Sequence, residues 1–182
     1  MARWMKGLAA ATAALTCLFA LLQGTGAGGI FMPLAITMGT CCYHLVMRLI
    51  VGGVVDRVMG NRADLTKGWY KMRPFEEKLY DRLKVKQWKG KMPTYNPEQF
   101  VLRGRNFDVL AQIMCQAEVV HECIIPLSFL PLLAARWFGA FPVFLVTSLA
   151  AAAFDLLFVI LQRYNRPRVL MMAERQRQRT QQ

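Results

Sequence analysis

The chain has 182 residues, 55% of them hydrophobic and 19% charged, with a formal net charge of +12. That balance excludes an ordinary soluble domain and points to a membrane protein. Two histidines and five cysteines without CxxC spacing exclude a disulfide framework, a zinc ribbon and a histidine-rich membrane iron site.

In chain order, residues 7–23 are apolar apart from Thr12, Thr16 and Gln23, and form the first expected span. Arg3 and Lys6 ahead of an Ala/Leu-rich core also fit a signal peptide. The short uncharged link 24–29 favours a helical hairpin instead. Residues 30–55 form the second span, with His44 and Arg48 one helical turn apart on the same face. Thirteen Lys/Arg lie between Arg57 and Arg105, in the loop 56–108. Within it, 69–87 reads as an amphipathic helix. Pro74 suits its start, Tyr70, Phe75, Leu79 and Leu83 lie on one side, and Glu76, Lys78, Asp81 and Arg82 lie on others. Gly90, Pro93 and Pro97 then rule out regular helix, while Trp88 and Tyr95 suit a membrane interface and Lys89 and Lys91 suit phosphate.

Residues 109–133 form the third span and carry Glu118, His121 and Glu122; residues 138–161 form the fourth and carry Asp155. A basic tail, 162–182, follows and is expected to fray from Arg175. The cysteines, all within apolar segments, read as small packing residues, with a thiol role conceivable for Cys115 and Cys123.

The expected fold class is therefore an all-α integral membrane protein. It has four transmembrane helices in a single domain, 1–182, and a cytoplasmic basic loop. Placing both termini and the loop in the cytoplasm obeys the positive-inside rule, in a multi-pass protein of the cell membrane. The positive charge flanks apolar spans, so anionic lipid is the expected partner and nucleic acid is not.

Ionisable groups inside spans are costly and mark functional sites. Glu118 and His121 are i, i+3 on one helix face, two parts of a general-base arrangement, or else a structural polar pair between helices. Arg48 needs a carboxylate partner, with Asp155, Glu118 and Glu122 as the choices. No second histidine completes an HExxH or paired ExxH set, so no metal is expected. No cofactor is expected either, because Gly24–Gly29 precedes an apolar span rather than following a strand. The run Gln162-Arg163-Tyr164-Asn165-Arg166-Pro167-Arg168 ends the last span. It suits either an anchor or a site for an anionic or polyhydroxylated head group.

Three blocks carry a resemblance over residues 75–172. They are Trp88-Lys89-Gly90-Lys91, Ala117-Glu118-Val119-Val120-His121 with Leu130-Pro131 after it, and Gln162–Arg168. Together they resemble the W-K-x-K, A-E-x-x-H and Q-R-Y-N-R-P-R blocks of the glycosyl-4,4'-diaponeurosporenoate acyltransferase family of carotenoid biosynthesis. The second block departs from that pattern at Glu122, where the family has tryptophan. The resemblance implies transfer of a fatty acyl group from a thioester donor, acyl-CoA or acyl carrier protein, to a hydroxyl of a glycolipid or similar lipid. It implies His121 as base oriented by Glu118. It also implies substrate binding by Arg163, Tyr164, Asn165, Arg166, Arg168, Trp88, Lys89 and Lys91. The competing expectation is a non-enzymatic membrane protein for transport or assembly, with the Glu/His/Arg groups lining an ion path.

Overall fold

The computed structural model describes residues 2–26, 28–92, and 106–181. The readings made above for Pro93, Tyr95 and Pro97 lie outside the described residues. Helix accounts for 85% of the structure, and there is no strand among the described residues. The helices are α1 (Ala2–Gly24), α2 (Phe31–Met59), α3 (Pro74–Arg82), α4 (Val85–Trp88), α5 (Phe107–Leu127), α6 (Ala135–Phe138) and α7 (Phe141–Thr180). Four segments are long and apolar enough to cross a membrane: Arg3–Gly24, Phe31–Met59, Phe107–Phe138 and Phe141–Arg179.

The chain divides into two compact units, 1–53 with 123–155, and 54–122 with 156–182. In the first unit, α1 and α2 form the expected hairpin. Gly39 lets them close up: a Cβ there would come within 3.3 Å of the Thr16 methyl. Cys42 Sγ reaches the Ala9 carbonyl at 3.7 Å, and the Gln23 side chain accepts from the Met32 amide at 3.0 Å. The hydroxyls of Thr12, Thr16, Thr37 and Thr40 donate to carbonyls of the preceding turn, so none is left unsatisfied among apolar neighbours. Pro131 has no N–H, which orphans the Leu127 carbonyl at the end of α5. The Tyr43 hydroxyl donates to that carbonyl at 2.7 Å.

The same unit settles the partner of Arg48. Its guanidinium pairs with Asp155, which is 1% exposed, and donates to the carbonyls of His44 and Ala151. Removing one member of such a pair strands a buried charge, whereas replacing both by apolar groups is often neutral or better. Asp155→Asn is therefore expected to destabilise by about 3–5 kcal/mol, and Arg48→Met/Asp155→Leu to restore most of that loss. Thermal unfolding of the detergent-solubilised protein checks this; equal melting of the single and double variants would contradict it.

In the second unit, α2 ends at Gly60 and Asn61, both at positive φ (51° and 55°), where glycine and asparagine pay little for the left-handed conformation. Gln112 and Gln116 of α5 then accept the amides of Ala63 and Asn61 and pin the start of the loop. The core is formed by Leu110, Ala111 and Met114 of α5 against Val169 of α7, with Leu65 and Phe107 packed around them.

Two expectations need correction here. The single amphipathic helix over 69–87 is instead a 3-10 turn, Gly68–Tyr70, followed by α3 and α4, which are separated at Lys84 (φ 51°). The buried residues of α3 are Glu76 and Tyr80, while Phe75, Leu79 and Leu83 face outward. The reason is a partly buried guanidinium, that of Arg163, which claims Glu76 and is described below. The basic tail, expected to fray from Arg175, is helical instead: α7 continues through Pro167 to Thr180. Proline costs the helix one hydrogen bond, but the burial of Val169 and Ala173 carries it on.

Candidate functional site

The site lies within the second unit and is built around two guanidiniums from one turn of α7. Arg163 commits its whole donor fork. Nε and Nη2 hold the Glu76 carboxylate at 2.6–3.2 Å, and Nη2 also reaches the Lys71 carbonyl at 3.1 Å. Nη1 holds Glu118 Oε1 at 2.7 Å and the Trp69 carbonyl at 2.9 Å. Arg166, 1% exposed, pairs with Glu118 Oε2, donates to the Tyr70 carbonyl and touches the buried Cys115 sulfur at 3.6 Å. Its Nε has no hydrogen-bond partner. Glu118 is fully buried, with each oxygen taken by a different arginine. Two positive and two negative charges thus neutralise one another, and in doing so tie the 69–76 segment to α5 and α7.

Sequence reasoning missed Glu76. The signal was available in the charge count, since Arg163 and Arg166 together need more than Glu118 to be buried without net charge. Burial alone would raise the pKa of Glu76. Hydrogen bonds from Arg163 and from the Tyr80 hydroxyl (2.7 Å) outweigh it and hold the carboxyl below its ordinary value. Because the folded value is depressed, its stabilising contribution is present above the ordinary glutamate range and fades as pH falls through the depressed value. Tyr80 moves the other way: burial, then the bond to Glu76, raise its pKa. Burial likewise raises that of Tyr70, against the opposing influence of Arg166.

A second group gathers beside the first. Lys89 Nζ lies 5.0 Å from the centroid of the Tyr164 ring and donates to Asn165 Oδ1 at 2.9 Å. Arg168 lies 4.3 Å from the same ring and donates to the Tyr164 hydroxyl at 2.8 Å. Tyr80 meets Tyr164 edge-on at 5.7 Å. The arrangement is two cations sharing one aromatic ring. The other named residues make contacts of their own. Trp88 donates to the Leu83 carbonyl at 3.1 Å and closes its own turn, and Lys91 is exposed. His121 stacks on Phe158 at 4.6 Å with planes 7° apart. Glu122 accepts the Trp69 indole N–H at 2.9 Å. Among the described residues, no three His, Cys, Asp or Glu side chains form a metal-holding group.

Arg163→Lys tests whether the fork is used. Lysine has three donors on one atom and cannot span Glu76, Glu118 and two carbonyls. The variant is expected to lose several degrees of melting temperature and most activity; a silent exchange would return the run to the status of an anchor.

Four membrane-length apolar helices, and within the second unit a buried Arg/Glu cluster beside a half-buried cation–aromatic group, define the protein as an all-helical one with its candidate site in that unit. The sequence model of one family, glycosyl-4,4'-diaponeurosporenoate acyltransferase (CrtO), matches residues 66–175. That is more than half of the chain, and the protein belongs to this family, which is named for an acyltransferase. The match contains Glu76, Glu118, His121, Arg163 and Arg166. No curated protein matches the chain, and no solved structure does.

Proposed function

We propose that the protein is a membrane acyltransferase that moves a fatty acyl group from a thioester to a hydroxyl of a glycolipid. Family membership carries this reading, because the matched segment encloses every member of the arginine–glutamate cluster and of the Tyr164 group. The four apolar helices span the bilayer, with both termini and the basic segments on the cytoplasmic side, where thioester donors are made. Lys89, Arg168 and Lys91 receive the phosphates of an acyl-CoA or the acidic surface of an acyl carrier protein.

In the reaction, the acceptor hydroxyl oxygen attacks the thioester carbonyl carbon. The C–O bond forms, and collapse of the tetrahedral intermediate breaks the C–S bond. His121 takes the hydroxyl proton and returns it to the departing thiolate. Glu118 acts through Arg163 and Arg166, holding them beside the reacting groups.

Lipid mass spectrometry of cells with and without the active protein tests the assignment. The expected result is a glycolipid heavier by one acyl chain in the producing cells. An unchanged lipid profile, together with proton or ion flux in liposomes containing the pure protein, would select the transport reading instead.

A further inference from the structure

A cleft of about 220 Å³ opens beside the arginine cluster, lined by Trp69, Arg73, Phe75, Glu76, Glu122 and Arg163. Its floor is already neutral, because Arg163 and Glu76 satisfy each other. Its walls are two aromatic rings, Trp69 at 57% and Phe75 at 59% exposure, which are unusually open for side chains of this size. Its remaining polar groups are one carboxylate, Glu122, and one exposed guanidinium, Arg73. Glu122 Oε2 receives the indole N–H of Trp69, which fixes the tryptophan wall relative to the carboxylate.

We propose that this cleft holds the uncharged, polyhydroxylated head group of the acceptor lipid, and that Glu122 determines which head group is taken. The proposal rests on the acyltransferase reading and locates its acceptor. The chemistry of the lining discriminates among ligands. The charges of the six residues sum to zero, so the cleft offers nothing net to a phosphate or a fatty carboxylate; that attraction belongs to Lys89 and Arg168. A sugar hydroxyl both donates and accepts. It is matched by a carboxylate that only accepts and a guanidinium that only donates. The flat aromatic faces cover the C–H surface of the ring, giving apolar walls with a few fixed polar groups. Of the two carboxylates in the lining, Glu76 is held by Arg163, while Glu122 is fixed by a single indole N–H and keeps acceptor capacity for hydroxyl protons. The pattern of hydroxyls that reaches Glu122 is therefore what separates one head group from another.

Binding is measured without any acyl donor, in a polyoxyethylene detergent that has no sugar of its own. Hexyl β-D-glucoside is titrated and followed by saturation-transfer NMR, with hexyl phosphate as the charged control. The wild type is expected to bind the glucoside saturably and in preference to the phosphate. Glu122→Gln, which keeps the side-chain volume but loses the charge-assisted acceptor, is expected to weaken glucoside binding about tenfold. Phe75→Ala, at an exposed position where folding is not at stake, is expected to weaken it to a similar extent. Preference for the phosphate, or glucoside binding indifferent to both substitutions, would overturn the assignment. Glucoside binding lost in the variants from a protein that transfers no acyl group would uphold the cleft while removing the acyltransferase reading. Acyl transfer to a glycolipid with acceptor KM unchanged in Glu122→Gln would do the reverse.

Discussion

Glu118→Gln is expected to cost about 3–5 kcal/mol of stability, the range for removing one partner from a buried ion pair. Glutamine keeps the shape of the side chain. It leaves Arg163 and Arg166 with only Glu76 between them, and Arg166, 1% exposed, has no route to water. Its remaining contacts, the Tyr70 carbonyl and ring and the Cys115 sulfur, are neutral and do not compensate a full charge. The second substitution Arg166→Met should recover much of the loss, because it removes the stranded charge rather than a contact. Thermal melts of the single and double variants beside the wild type, in one detergent, check the set. A Glu118→Gln protein within about 1 kcal/mol of the wild type would mean that the cluster contributes no more than a surface pair.

The largest effect on turnover is expected at His121. Loss of a positioned base lowers the rate by about 10²–10⁴-fold. His121→Ala also removes a ring that stacks on Phe158, so its effect mixes chemistry with packing. His121→Phe separates the two, keeping a stacked ring and supplying no base. Both variants are expected to be inactive with a glycolipid acceptor and an acyl-CoA donor in reconstituted membranes, and thermal melts of each show how much of the loss is structural. Normal turnover in His121→Phe would remove histidine from the mechanism and leave the carboxylates as the remaining bases.

The long apolar segments were legible because a sustained hydrophobic run without charge suits a bilayer and little else. The arginine run and Glu118 were legible for the converse reason, since ionisable groups beside or within such segments are rare enough to stand out. The orientation of α3 was not. A stripe of Phe75, Leu79 and Leu83 satisfies the same periodicity whether it packs on protein or faces outward, and only the position of Arg163 decides that Glu76 turns inward. Arg48 had several possible carboxylate partners, and its choice of Asp155 depends on which faces of α2 and α7 meet, which single-helix periodicity does not encode. The run of α7 to Thr180 was not legible, because Pro167 lies within it and the residues from Arg175 on are polar with no apolar stripe. The packing of Val169 against Leu110 and Met114, far away in sequence, overrides that local signal.

On the proposed acyltransferase reading, the Tyr164 group sets the range over which an anionic donor is met. Among the described residues, Lys89 and Arg168 share an aromatic ring and face no carboxylate, with an amide oxygen holding the lysine. Their charge is thus held in place without being cancelled. In a medium where electrostatic fields decay over about 8 Å, two such cations draw anions only from close by. On that reading the patch would work as a short-range latch rather than a long-range funnel, selecting among donors already gathered at the membrane surface.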